Sequence, residues 1–457
     1  MIALVVSRAD SASEHVGEQL LAVGDWTERH DDSRPDADGG GTYYRTDGFS
    51  LRTFDDLHIY LERPGAAFDD PDLLVVVSRH SGETGPLLTA HFTGNVGDAE
   101  YGGEPGQFAR ACPNAAAEAV AALDRYAPEG YEVGSECTHH GPTDVGVPSM
   151  FVELGSDEAQ WSDPTGAEAV ARAVLDLRGV TADREKQVAG FGGGHYAPRF
   201  GRIVRETAWA VGHVAADWGL EAMGNPATNR DVLRRIVEES ATEYVLVDGD
   251  HGGLEGILDD LGYRVVTETW LRETSGHPLP LVEAVEARMD AVSEGLRFGD
   301  ATPLVDGDAD PDPADAVVVI DLPAGLVDAA HGVDAAATRA AVAGVAVAFE
   351  TTEGGTRPSG RIALPADDPT AAADALTAAL AAVLRESYGE VTRRDGEVIA
   401  RTEAFDPAAA RELGVPEGPA FGRLASGEAV DVDGDRIDPD AVRTERVERF
   451  PVATTES

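Results

Sequence analysis

The chain opens on a continuous apolar run, "MIALVVS", followed by "SASEHVGEQLLAVG", whose apolar positions recur at helical spacing. Together they predict a buried strand and then a helix, with Ser11 and Glu14 at capping-box separation and Gly24 placed to end it. Residues 30 to 41, "HDDSRPDADGGG", break the pattern with Asp and Gly and read as an exposed loop. Strands are predicted at "LHIYL" (57 to 61) and at "DLLVVVS" (72 to 78); the second is apolar on both faces and belongs inside a sheet. Helical patterns return at about 114 to 126 and 164 to 177, with the strand "SMFVELG" between them. They recur near 204 to 219 and 229 to 240, and the strand "EYVLVD" precedes a helix near 253 to 262. Alternation of this kind predicts an α/β sheet with helices on both faces, whose sites form beyond the carboxyl ends of the strands.

Near residue 292 the composition changes to "FGDATPLVDGDADPDPADA", rich in Asp, Pro and Gly. We therefore expect a first domain over 1–292, a linker over 293–314 and a smaller C-terminal α+β module over 315–457. That module contains the strand "AVVVIDLP", Ala-rich helices around 334 to 344 and 369 to 385, and a tail of short strands and turns.

Charge alters what the chain can bind. Lys and Arg total 36 against 83 Asp and Glu, a formal net charge of −47, and Lys186 is the one lysine. The acids are spread along the chain and 42% of residues are hydrophobic, so the chain is expected to fold and not to be a disordered acidic tail. Such a surface suits molar salt, where the Debye length falls to about 3 Å and carboxylate repulsion is screened. A halophilic archaeal cytoplasm fits. DNA is not an expected partner, and RNA recognition would rest on shape and local arginines more than on net charge. Cys112 and Cys137 form no CxxC pair, and Cys137 is weighed as a metal ligand against the commoner buried structural thiol. The N-terminal apolar run is too short for a signal peptide or a membrane span, so no membrane association is expected.

Of twelve histidines only His331 lies beyond the expected linker, so metal or acid–base chemistry is expected in the first domain. His80 and Glu83 follow the strand "DLLVVVS", and an imidazole and a carboxylate in one turn suit zinc. His91 reads equally as a ligand or as a packed strand histidine. The adjacent His139 and His140 stand in the Gly/Pro-rich loop "SECTHHGPTDVGVPS", with Glu136 before them and Glu153 on the next strand. One ring can meet a metal or substrate while its neighbour bonds a carboxylate. In "GFGGGHYAPRFGR" three glycines permit close backbone approach, His195 follows, and Arg199 and Arg202 offer cations to phosphate groups. His213 is expected as a packed helix histidine, and "VDGDHGG" either as a strand-end site or as a turn.

Four ordered blocks, "SRHSGETGPLLTAHFTGN" (78 to 95), "THHGPTD" (138 to 144), "FVELGS" (151 to 156) with Trp161 downstream, and "GFGGGHYAPRF" (190 to 200) followed by Gly212-His213, resemble the archaeal zinc-dependent D-aminoacyl-tRNA deacylases. The resemblance covers roughly residues 1 to 290. It implies a phosphorylase/hydrolase-like mixed sheet, a requirement for Zn²⁺, and hydrolysis of the ester between a D-amino acid and the 3′ end of tRNA. In "VDGDHGG" the chain departs from the family, where a basic residue is expected. The tail "GVPEGPAFGRLASGEAV" resembles a segment near the end of ribonuclease Z enzymes, but the HxHxDH motif is absent, so an accessory role is expected for the last module.

On this reading zinc is held by two or three of His80, Glu83, His139, His140 and His195, and Glu153 or Glu83 takes the proton of the attacking water. Glu153, His140 and His195 are the catalytic candidates, Arg199 and Arg202 the tRNA contacts, and D-aminoacyl-tRNA the partner of a cytoplasmic, monomeric enzyme. A zinc carboxypeptidase or amidase, or a non-catalytic RNA-binding scaffold, is the competing expectation.

Overall fold

The computed structural model describes residues 1–302 and 313–453, which form two compact units, Met1–Ser275 and Gly276–Ser457. Residues 303–312 of the expected linker lie outside the described residues. Among the described residues no helix is long and apolar enough to cross a membrane.

In the first unit an eight-stranded mixed sheet is built from β1 (Ile2–Ser7), β2 (Thr27–Asp31), β3 (Gly41–Thr46), β4 (Phe49–Phe54), β5 (Leu73–Arg79), β6 (Leu87–His91), β7 (Glu132–Ser135) and β8 (Ser149–Gly155), in the order β2-β3-β4-β1-β5-β8-β6-β7. The four strands β4, β1, β5 and β8 run parallel. β6 is antiparallel to β8, which sets Thr89 opposite Glu153 and His91 opposite Phe151. The central strands are buried on both faces, as their unbroken apolar runs predict.

One face carries Leu4, Val6, Val75, Val77, Met150 and Val152 against α1 (Ser11–Val23), α2 (Pro113–Tyr126) and, beyond the short α3 (Glu158–Trp161), α4 (Pro164–Leu175). Each such side chain contributes about 1.5–3 kcal/mol through burial. The opposite face carries Ala3, Val5, Leu74, Val76 and Phe151 under the 3₁₀ turns His58–Tyr60 and Pro64–Ala67 and the loop at Val145. Glu153 and Ser78 share this second face, because side chains alternate along a strand.

A four-stranded parallel sheet, order β10-β9-β11-β12, consists of β9 (Gln187–Gly192), β10 (Ala210–Ala215), β11 (Tyr244–Asp248) and β12 (Arg264–Val265). The connecting helices are α5 (Pro198–Glu206), α6 (Asp217–Met223), α7 (Arg230–Glu238), α8 (Leu254–Asp260) and α9 (Glu268–Thr274). β9 lies between β10 and β11, so the chain reverses strand order there and the loops after β9 and β10 open a crevice at their carboxyl ends.

Three local expectations give way. The helix cap is Asp10, whose carboxylate accepts from the N–H groups of Ala12 and Ser13, and not Ser11. The segment "LHIYL" carries a 3₁₀ turn at His58–Tyr60: a run of five residues is too short for alternation to decide between strand and turn. The expected helix at 204 to 219 is instead α5, β10 and α6. The run "AVGHVA" is buried throughout, which periodicity alone cannot distinguish from a buried helix. A side chain at Gly212 would also collide with Ser240, so β10 needs that glycine to lie close to α7 and its exit. His213 is therefore a strand residue.

The second unit forms a four-stranded antiparallel sheet, with Arg297–Phe298 at one edge and Val317–Asp321 at the other, under helices Ala324–Val333, Ala335–Ala343 and Pro369–Leu384. Residues 297–298 of the expected linker thus belong to its sheet. A three-stranded antiparallel sheet and a two-stranded hairpin (Val430–Val432 with Asp435–Ile437) complete it. Small antiparallel sheets with helices match the α+β expectation.

Candidate functional site

Four segments of the first unit converge where β5, β6, β7 and β9 end. β5 delivers Ser78 and, one residue past its end, His80, whose N–H is held by Leu154 O at 3.0 Å. β8 contributes Glu153 beside Ser78, whose hydroxyl donates to Glu153 Oε1 at 2.8 Å. β6 ends on His91. The loop after β7 is fastened residue by residue: Glu136 N–H donates to Ala90 O, Cys137 N–H to His195 O and Thr138 N–H to Val214 O.

That lacing ends in a turn at His140, whose φ of +45° is left-handed. Neighbouring side chains on a regular element diverge, but the reversal at His140 brings both rings into one cluster, with centroids 4.5 Å apart. His91 stacks on His139 at 4.3 Å and meets His140 edge-on at 5.0 Å.

The hydrogen bonds of these three rings fix which nitrogen is free. His139 Nδ1 bonds Cys137 O at 2.9 Å, His140 Nδ1 bonds Gly141 O at 2.6 Å, and His91 Nδ1 bonds Phe92 O at 3.1 Å. A carbonyl only accepts, so each Nδ1 carries a hydrogen, and each ring presents the Nε2 lone pair when it is neutral. Burial disfavours a charged His91, but the Glu153 and Glu136 carboxylates beside it raise its pKa. The ligand atoms of His91, His139 and His140 lie within 4.8 Å of one another, and His91 Nε2 is buried with no hydrogen-bond partner. Anchoring one ring nitrogen on a carbonyl while the other faces inward is how metal-binding histidines are held.

Two buried carboxylates adjoin them. Glu136 Oε2 lies 2.8 Å from His195 Nε2 and 3.9 Å from His139 Nε2, and its Oε1 lies 3.1 Å from His80 Nδ1. Glu153 lies 3.4 Å from His91 Nε2 and 3.6 Å from His80 Nδ1. Burial would raise both carboxyls, but the surrounding histidines outweigh it and hold both well below the usual carboxylate range. Burial likewise disfavours a charged His80, yet the two carboxylates lift its pKa to about 10. Burial and the neighbouring rings push His139 down and His140 down to about 3, so both stay neutral. Buried anions require positive charge beside them. Protonated His80 supplies part; a divalent cation of zinc's type fits the inward-facing Nε2 atoms for the rest. Cys137, His139 and His195 form a second group of metal-ligand type, with Cys137 Sγ 3.6 Å from His195 Nδ1. Burial pushes the Cys137 thiol up to about 12.

Of the residues expected from sequence, the cluster gathers His80, His139, His140, Glu153 and His195. It does not gather Glu83, which is exposed in the turn after β5 and absent from the three metal-ligand groups among the described residues. Arg199 is engaged by Asp248 and Glu268, and Arg202 by Glu268, so both cations are neutralised within the fold. The sequence leaves His91 undecided and offers Glu136 only as a carboxylate beside the histidine pair, for ligation or proton transfer, yet Glu136 touches three histidines. A signal for it was its place one residue beyond a strand. His213 bonds Thr138 Oγ1 and Ala109 O and fastens the histidine loop from behind. His251 bonds Asp248 O in a turn.

Residues 67–266 match the family model described as D-aminoacyl-tRNA deacylase. The chain is 56% identical to the D-aminoacyl-tRNA deacylase of Halorubrum lacusprofundi, covering 99% of this chain and 97% of that protein. It is 52% identical to the protein of the same name from Natronomonas pharaonis, over 98% of this chain and all of the relative. The crystal structure of a conserved protein of unknown function aligns with a TM-score of 0.54 at 29% identity, over 60% of this chain and 96% of the other.

Proposed function

The chain belongs to the D-aminoacyl-tRNA deacylase family, and we propose that its histidine–carboxylate cluster hydrolyses the ester between a D-amino acid and the 3′ end of tRNA, releasing both. The observation that carries this reading is the grouping of His91, His139 and His140, whose ligand atoms lie within 4.8 Å of one another, beside the buried Glu153. Those three histidines would hold zinc. When bound there, zinc lowers the pKa of water to about 7 and polarises a carbonyl.

The protein's own groups do the rest. Glu153 is the base that takes the proton of the attacking water; Ser78 fixes one of its oxygens and His80 faces the other. Protonated His80, between Glu136 and Glu153, offers positive charge as negative charge develops on the carbonyl oxygen. The bond between the carbonyl carbon and the 3′ oxygen then breaks, and the leaving oxygen takes a proton from His195, the most exposed ring of the set, whose Nε2 is oriented by Glu136. Rejection of the L-ester rests on the wall of this pocket. The substrate arises during translation, which puts the reaction in the cytoplasm, and because every group named comes from one chain, a monomer suffices.

The test is deacylation of D-tyrosyl-tRNA and L-tyrosyl-tRNA in molar KCl, with zinc-loaded and chelated protein. Loss of the D-ester that stops on chelation and returns with zinc is expected. A folded, zinc-loaded protein inert towards both esters would overturn the reading.

A further inference from the structure

Among the described residues of the first unit, four large side chains of aromatic type remain exposed: Tyr60 (57%), Tyr101 (64%), Tyr196 (37%) and Trp218 (48%). A surface dominated by acid has no need of them for solubility, and scattered single apolar residues would carry no meaning. These four are not scattered. Tyr196 is next in sequence to His195, packs edge-on against the His80 and His195 rings, and brings its hydroxyl within 3.2 Å of His80 Nε2. Trp218, in the first turn of α6, lies beside the Cys137 thiol.

The other pair is tied to the far end of the histidine loop. Gly141 N–H donates to Tyr101 O at 2.9 Å. A side chain at Gly141 would strike Gly102, Gly103 and Ile59 O, and one at Gly102 would strike Ile59 O and meet the Tyr60 ring. The backbones of 59–60, 101–103 and 140–142 are therefore stacked with no space between them. Between these segments opens a cleft of about 450 Å³ whose lining includes Tyr60 and Arg63 together with the carboxylates Glu62, Glu104 and Asp144.

We propose that these rings form a stacking rim for the unpaired 3′-terminal nucleotides of tRNA, with bases on the aromatic faces while the ester reaches the histidine cluster. The inference rests on the deacylase reading of that cluster. Phosphate contacts are poorly provided for: Arg63 pairs with Asp144, Arg199 with Asp248 and Glu268, and Arg202 with Glu268. Salt at molar strength screens such contacts in any case, whereas every base has a face that stacks on a ring. A rim of aromatics around the reactive groups holds single-stranded RNA where charge does not.

The test uses zinc-loaded full-length protein and a fluorescent oligoribonucleotide ending in CCA, titrated from submolar to multimolar KCl. Tyr60→Ala and Trp218→Ala are each expected to weaken binding by about fivefold or more, with Tyr60→Phe and Trp218→Phe keeping most of the affinity and KCl having little effect. On D-tyrosyl-tRNA the alanine variants should raise KM more than they lower kcat. Alanine variants that bind like the parent would overturn the rim, as would a steep loss of affinity with salt, the signature of phosphate contacts. So would an aromatic requirement confined to a protein partner. The two readings separate cleanly: ring-dependent binding without deacylation removes the deacylase and keeps the rim, whereas deacylation unaffected by the alanine variants removes the rim alone.

Discussion

Glu153 in the first unit and Glu350 in the second are both buried carboxylates on sheet strands, 3% and 8% exposed. Glu350 is answered locally: its Oε2 accepts from Arg361 N–H at 2.7 Å, and its Oε1, buried without a hydrogen bond, is ion-paired with the Arg361 guanidinium at 2.5 Å. Glu153 has no arginine. Its neighbours are the Ser78 hydroxyl and the imidazoles of His80 and His91, and the inward nitrogen of His91 has no hydrogen-bond partner. Glu350 is neutralised by a permanent cation, whereas Glu153 is left among groups that can exchange protons and, on the proposed reading, bind a metal.

This contrast can be broken by substitution. Glu153→Gln keeps the shape and removes the base, and it is expected to lower kcat on D-tyrosyl-tRNA by about 10²–10⁴-fold with zinc content unchanged; full activity would remove Glu153 from that role. Glu350→Ala leaves the Arg361 N–H unsatisfied and should cost about 1–3 kcal/mol in denaturant unfolding of the second unit while deacylation per folded molecule is unchanged. A loss of turnover at constant stability would contradict its structural assignment.

Glu268 sharpens the comparison from the surface. Arg202, together with Arg272 and Arg199, holds its pKa down to about 2 against partial burial, from an ordinary 4.5. A depressed carboxyl stabilises the fold above its unfolded pKa, and that contribution is lost as pH falls from 4.5 towards about 2. Glu268→Gln should therefore lower stability at neutral pH by about 1 kcal/mol or less, as for other exposed pairs, and the difference from the parent should vanish on acidification over that window. A difference that grows in acid would contradict the assignment. The smallest effect is expected for Glu83→Gln, which should leave zinc content and turnover unchanged, since Glu83 is exposed and outside the cluster; loss of zinc would restore it as a ligand.

Much of the fold is legible along the chain. The apolar runs of β1, β5, β8 and β11 are long enough, and well enough bounded by turn residues, to name strands, and the helices at 113–126 and 164–175 follow from period alone. At 57–61 and 210–215 short apolar runs admit two structures, and packing against Phe151 in one case and Ser240 in the other decides. In the site, His80, His139, His140 and His195 are visible because they stand at or beyond strand ends in Gly-rich loops. His91 needs the antiparallel register of β6 on β8, and Glu136 needs the fold of the loop after β7. The ion pairing of Arg199 and Arg202 is not legible in the sequence because their partner, Glu268, lies more than sixty residues further on. The acidic composition does agree with its expected origin: the relatives at 52–56% identity come from Halorubrum and Natronomonas.

The central claim is that His91, His139 and His140 hold the metal on which hydrolysis depends. It is tested most directly by measuring zinc per chain and D-tyrosyl-tRNA hydrolysis on the same dialysed samples of the parent and His91→Ala, with circular dichroism confirming the fold. A folded His91→Ala protein is expected to lose zinc relative to the parent, with hydrolysis falling to background. A folded variant with the parent's zinc and the parent's rate would contradict it.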